Sequence, residues 1–343
     1  MRNLLDLDED LAPLQAELAG FLVRVSDRFD AALTSDLLAV ERLTRHVERY
    51  RGKMLRPALV ALCGSAASGM AMDDLLAGEA GVDLAVVAAV CEMVHMATLV
   101  HDDVLDEAET RRRGQTVNAM SGNETAVILG DYLIAGAYHL CSTLDRQATA
   151  LRVGRASMIV CSGELLQLDR REDYAIDEAT YFEIIERKTA ELIAAACELG
   201  AQHAGSGGPQ RDALASFGRR IGVAFQIRDD LLDLTGREEI VGKSVGRDVR
   251  KGKVTLPIMH HLAEAGAATR AETLALIERA EAGDDHAAAQ VRARMDGTGS
   301  IEHTQAVAER IVEEARGELA VLADTPARRM LDAMARAVVE RSF

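Results

Sequence analysis

The chain has 343 residues, 48% of them hydrophobic, so it can bury a substantial core. Its formal charge of −16 argues against a nucleic-acid binder, because a phosphate backbone calls for a basic face. Ala and Leu dominate, aromatics make up only 3%, Trp is absent and there are five Pro, a mixture that favours helix over sheet.

In chain order, the first stretch, "MRNLLDLDEDLAPL", is acidic and lacks the basic-then-apolar order of a signal peptide. No run reaches the roughly 20 apolar residues of a membrane span, so the expectation is a soluble, cytoplasmic protein. "RGKMLRP" places Lys53 and Arg56 three apart, on one face if that segment is helical. Leu84 to about Glu109 reads as a long helix, apolar on most sides and therefore central. A second long helix is expected from about Asp212 through Asp233, with breaks at 205–209, 236–248 and 295–300, where turn residues gather. No run of alternating β-branched residues stands out, and no linker divides the chain. The expected fold is all-α, a single helical domain over residues 1–343. Cys63, Cys91, Cys141, Cys161 and Cys197 form no CxxC pair and read as small hydrophobes in a reducing interior.

Two acidic clusters carry the chemistry. "DDVLD" at 102–106 and "DDLLD" at 229–233 share the pattern DDxxD. On a helix, Asp102 and Asp106, like Asp229 and Asp233, project from one face about a turn apart. Such crowding of like charge weakens a helix unless solvent screens it or a cation sits between the carboxylates. Both clusters follow apolar segments, "MATLV" and "GVAFQI", which is unlike a solvated acidic face. Facing each other across a cavity, they would offer hard oxygen donors, which suit Mg²⁺ shared with a phosphate. Cations accompany them: Lys53, Arg56, Arg111, Arg112, Arg113, Lys188, Lys243, Lys251 and Lys253, with the polar Thr189 and Gln226. Arginine forks and mobile lysines match phosphate oxygens, so a diphosphate site is the reading that uses both signs of charge.

The ordered set "GKMLRP", "HMATLVHDDVLDEAETRRRG", "GELLQL", "KTAEL", "FQIRDDLLD" and "GKSVGRDVRKGKVTLP" resembles the trans-isoprenyl diphosphate synthase (polyprenyl synthetase) family over nearly the whole chain. The resemblance implies an all-α bundle around a deep central cavity, usually a homodimer. Its substrates would be isopentenyl diphosphate and an allylic diphosphate. Its cofactor would be Mg²⁺, about three ions per active site. By position, Asp102 and Asp106 resemble the first-motif metal ligands with Asp103 supporting them, and Asp229, Asp230 and Asp233 the second-motif group. Lys53, Arg56, His95 and Arg112 match the isopentenyl diphosphate pocket. Arg111, Lys188, Thr189, Gln226, Lys243 and Lys253 match groups that grip the allylic diphosphate. The usual Arg-Arg-Gly is Arg-Arg-Arg-Gly here, so Arg111 and Arg113 compete for the place beside Arg112.

In this family the residues four and five before the first motif bear on product length. Here they are the small Thr98 and Ala97, which implies an open tunnel and a product beyond C20, with Tyr138 or Met93 and Val94 as a candidate floor. A shorter C15–C20 product is the alternative. No transmembrane segment is expected, only transient membrane contact for product release. Three rivals explain less. A class I terpene cyclase would leave Lys53 and Arg56 without purpose. A non-catalytic subunit should have lost aspartates, and a phosphohydrolase built on His101-Asp102 ignores the second cluster.

Overall fold

Nearly every apolar periodic stretch of the sequence is helical in the computed structural model, which describes residues 11–112, 114–171, 173–236 and 246–340. The N-terminal part comprises α1 (Ala12–Ala32), α2 (Leu38–Val47), α3 (Leu55–Ser68), α4 (Met72–Ala77) and α5 (Glu79–Leu105). A two-residue hairpin, β1 (Thr110–Arg111) against β2 (Gly114–Gln115), then leads into α6 (Val117–Ser121), α7 (Asn123–Cys141) and α8 (Gln147–Asp169). Next come α9 (Glu178–Ile185), a π-helical turn (Glu186–Ala190), α10 (Glu191–His203) and α11 (Pro209–Thr235). The C-terminal part holds α12 (Arg247–Arg250), α13 (Leu256–Glu264), α14 (Ala267–Glu281), α15 (Asp285–Met295), α16 (Ser300–Glu318) and α17 (Pro326–Glu340).

The hydrophobic pattern explains the layout. α5 is buried on nearly every side from Leu84 to Val94, because it carries apolar residues around its whole circumference. By length and hydropathy it could cross a bilayer, yet 78% of its most apolar window is buried against other helices, which makes it a core helix. It begins a turn before the expected Leu84 and stops at Leu105 rather than Glu109, where Glu107 takes a left-handed φ of 48°. α3, α7 and α10 pack against it, and α11 packs on α10 and α3, forming the main core. A smaller cluster of Leu234, Val249, Ile258, Leu262, Ile277 and Val291 sits at the end of α11, and Val254 packs against both clusters.

The hairpin was not expected from the sequence. It turns the chain back so that Arg111, six positions after the first acidic helix has ended, returns over its last turn to Asp103. Arg112 sits in the tight turn at φ 48°. Lys53 also differs from expectation: it lies before α3, and the helix starts only after Met54, itself left-handed at φ 52°.

Candidate active site

A cavity of about 880 Å³ opens between α5, α8, the π-helical turn and α11. α5 contributes a stripe at helical spacing, Glu92, His95, Leu99 and Asp102, and α11 contributes Gln226 and Asp229 one turn apart. The lining is divided by chemistry. Arg51, Lys53, Arg56, Arg111 and Arg112 form a cationic pocket with His95. Asp102, Asp229 and Lys188 stand together with Thr189 and Gln226, and Leu99, Val160, Leu165, Leu168 and Phe225 are apolar.

At the acidic end, burial raises the Asp102 carboxyl to about 6, against the pull of Lys188. Lys188 in turn is ion-paired with Glu164. Burial would also raise Asp106, but Lys253 and Lys251 outweigh it and hold that carboxyl below the usual range. Lys251 lies 2.8 Å from the Asp106 carboxylate and donates to its backbone carbonyl at 3.0 Å, while Lys253 lies at 3.8 Å. Thr189 donates to Gln226 at 2.9 Å. Asp102 of the first motif and Asp229 of the second line the same cavity, and Lys251 and Lys253 reach the first motif at Asp106.

In the cationic pocket, burial and then the charges of Arg56, Arg111 and Arg112 push the His95 imidazole well below its ordinary value, so it is neutral at physiological pH. A neutral imidazole can donate to a phosphate oxygen without adding repulsion to the arginines. The Arg112 guanidinium lies over Gly52, where a Cβ would fall 2.3 Å from one of its nitrogens and push its tip aside. Sequence reasoning missed Glu92, which is 2% exposed, lines the pocket and has an unpartnered Oε2. Burial raises its carboxyl, and Arg56, Arg112 and Arg51 oppose that shift. Its three-residue offset from His95 was the available signal.

Several expectations are corrected. Asp103 does not line the cavity: it is buried and accepts both ways from Arg111, at 2.9 and 3.0 Å from Nε and 2.7 Å from Nη2. Arg111 therefore reaches the cavity already tied to an aspartate. Asp230 is buried, with one oxygen accepting from Tyr181 at 2.6 Å and the other from Gln226 at 2.8 Å. Asp233 accepts the backbone N–H groups of Arg247 and Asp248 at 3.3 and 3.0 Å, and so caps α12. Successive helical residues point about 100° apart, so a DDxxD motif cannot aim all its acids one way. Tyr138 is exposed on α7 and does not line the cavity, so it is not a floor. Ala97 is fully buried and also absent from the lining, while Thr98 lines it, its hydroxyl bonded to the His95 carbonyl at 2.8 Å. Met93 and Val94 are buried outside the lining too. Lys243 and Arg113 lie outside the described residues.

The cavity, two acidic helices and a ring of cations define an enzyme that handles diphosphates along an apolar wall. Residues 39–295 match the polyprenyl synthetase family. The octaprenyl diphosphate synthase of Escherichia coli (strain K12) is 34% identical over 310 residues, covering 90% of this chain and 92% of that protein. A short chain isoprenyl diphosphate synthase of Methanothermobacter thermautotrophicus is 35% identical, covering 88% and 90%. A crystal structure of a polyprenyl synthase from Caulobacter crescentus CB15, complexed with calcium and isoprenyl diphosphate, superposes with a TM-score of 0.85 at 33% identity, covering 96% of this chain and 97% of that one. The chain belongs to the polyprenyl synthetase family and is a trans-prenyltransferase that makes polyprenyl diphosphates.

Proposed function

We propose that the enzyme condenses isopentenyl diphosphate with an allylic diphosphate and releases diphosphate, extending the chain beyond C20. The divided lining of one cavity carries this reading: two regions for anionic head groups, one apolar wall for a tail. Lys53, Arg56, His95 and Arg112 would hold the isopentenyl diphosphate. Arg111, Lys188, Thr189, Gln226, Lys243 and Lys253 would hold the allylic diphosphate.

Asp102, Asp106 and Asp229 would hold Mg²⁺, about three ions counted with the substrate oxygens. The donors fit a hard cation, since Asp102 and Asp106 are carboxylates four residues apart and burial makes Asp102 costly to ionise alone. Among the described residues no three acidic, His or Cys side chains converge as a finished metal site. A substrate diphosphate completing the coordination accords with that. When bound, Mg²⁺ supplies Lewis-acid stabilisation of the departing diphosphate. Lys188 and Arg111 face the same departing charge and add electrostatic stabilisation. The apolar wall keeps water from the allylic cation, and the double bond of isopentenyl diphosphate attacks it. The proton lost afterwards goes to the departed diphosphate, so no protein base is assigned.

Product length rests on Thr98, which faces the cavity with a small side chain where a bulkier one would shorten it. Thr98→Phe is expected to shift the products from isopentenyl diphosphate plus farnesyl diphosphate to shorter chains, read by mass spectrometry. An unchanged product would remove the tunnel from this position. Hydrocarbon formed from the allylic substrate alone would instead favour cyclase chemistry.

A homodimer is part of the reading. Ile128 on α7 and Leu151, Met158 and Leu165 on α8 are 66–75% exposed, and the last three recur every seven residues along one helix face. Acidic Glu124 and Asp131 on α7 complement Arg155 on α8, which suits a self-complementary contact. Sedimentation should give a dimer, and Met158→Glu a monomer; a monomeric native protein would end this part of the reading. Leu105, exposed where it lines the cavity and outside that dimer face, offers the place for transient membrane contact on product release. Four buried, unpaired cysteines accord with a cytoplasmic setting.

A further inference from the structure

Tyr181 lies midway along the eight-residue α9 and is buried, with the hydroxyl as its side chain's only polar group. That hydroxyl donates to Asp230 Oδ2 at 2.6 Å. Asp230 Oδ1 accepts from Gln226 at 2.8 Å, and Gln226 Oε1 accepts from Thr189 at 2.9 Å. The chain of bonds starts on α9, crosses to α11 at Asp230, runs one turn along that helix to Gln226, and returns to the π-helical turn that continues α9. It closes a ring between two segments with different duties. One segment carries Lys188 and Thr189. The other carries Asp229, next in sequence to Asp230 and about 100° around the helix from it. Pinning Asp230 to α9 fixes how α11 is rotated, and so where Asp229 points.

We propose that Tyr181 is a positioning residue, which holds Asp230 as an anchor so that Asp229 and the Lys188–Thr189 segment present a matched face to the metal-bound diphosphate of the allylic substrate. This rests on the metal-dependent reading above. Asp230 has both oxygens engaged within the protein, so its part is to set geometry. The two compartments on either side agree with this. Tyr181, Asp230 and Lys253 line a small secondary chamber, while Lys188, Thr189 and Gln226 line both that chamber and the main cavity. Tyr181→Phe keeps the ring, which meets the Phe182 ring edge-on at 5.5 Å between centroids, and removes only the donor.

The test is calorimetric titration of Mg²⁺ and inorganic diphosphate into the full-length protein, alongside steady-state kinetics and a thermal melt. Tyr181→Phe is expected to raise the Mg²⁺ midpoint for diphosphate binding by about tenfold, the usual scale for losing a group that orients a metal ligand. The KM for the allylic substrate should rise while that for isopentenyl diphosphate stays within about twofold. A merely structural role would lower the melting temperature and leave the midpoint alone, or raise both KM values together; either result overturns the proposal. Asp230→Asn gives a second arm, because the amide can still accept from Tyr181 if Gln226 turns over. Its midpoint should move no more than that of Tyr181→Phe, and a larger loss would make Asp230 a ligand, which overturns the anchor assignment. If the native protein itself shows no Mg²⁺-dependent diphosphate binding, the metal reading fails first. Native binding with an unchanged Tyr181→Phe midpoint sinks the positioning role alone.

Discussion

Replacing Asp102 with Ala is expected to lower kcat by about three orders of magnitude, with folding intact, because the change removes charge stabilisation needed only as diphosphate departs. Asp102 lies on the cavity stripe of α5, one turn before Asp106, and opposes Lys188 across the site. Its carboxyl is raised to about 6 chiefly by burial. A proton bound there competes with a cation, so turnover should fall as pH drops through about 6. The stability sign follows from the same shift. In the free protein, a carboxyl raised from its usual value favours the folded state while protonated and loses that contribution as pH rises through about 6. A bound cation relieves the cost of ionisation, so Mg²⁺ with diphosphate should raise the melting temperature more at about pH 7.5 than at about pH 5.5. A mutant retaining most of the native turnover would contradict the assignment of Asp102 to the metal.

The helices and the site's inventory were legible because both are written locally. α5 and α11 announce themselves through long apolar patterning, and DDxxD spacing is a short-range property of each. Orientation was not legible in the same way. Asp103, Asp230 and Asp233 were grouped with the outward acids, yet each has its own partner, and those partners come from elsewhere: Arg111 from a hairpin, Tyr181 from α9, the α12 amides from beyond the second motif. Spacing says which residues share a helix face; it does not say what a neighbouring helix brings to that face. Ala97 illustrates this too. It was coupled to Thr98 by its position before the motif, but one residue of rotation separates a packed side chain from a cavity wall. Glu92 escaped notice because a lone Glu in an apolar helix shows its purpose only once Arg56 and Arg112 fold over it.

Gly163→Ala is expected to damage catalysis through backbone alone. Gly163 on α8 faces the π-helical turn, and a Cβ there would lie 2.7 Å from both the Lys188 amide nitrogen and the Arg187 Cβ, and 3.1 Å from the Arg187 carbonyl carbon. These atoms cannot swing aside as a side-chain tip could. From the other side Gly222 of α11 permits the same closeness, since its Cβ would fall 2.5 Å from the Ala190 Cα. The turn is thus held between two helices that meet it without side chains, and π-helical turns are often found where function needs an irregular backbone. A methyl at 163 must push the turn, at about 1–3 kcal/mol of overpacking. Lys188 and Thr189 would shift with it, and a displacement of about 1 Å at reacting groups costs on the order of 100-fold in rate. Gly20 provides the contrast: it is exposed in the middle of α1 with nothing near its would-be Cβ, so Gly20→Ala should stabilise by about 1 kcal/mol through helix propensity and leave the rate alone. Thermal melts and kcat/KM for the allylic substrate, measured on both variants, decide the matter. Native activity in Gly163→Ala would show that the position of the π-helical turn does not govern the diphosphate grip. A fall in kcat/KM for the allylic substrate, with the isopentenyl diphosphate KM little changed, would locate the damage at Lys188 and Thr189, because the cationic pocket proposed for isopentenyl diphosphate is built on the segment before α3, on α3 itself, on α5 and on the hairpin, none of which carries Gly163.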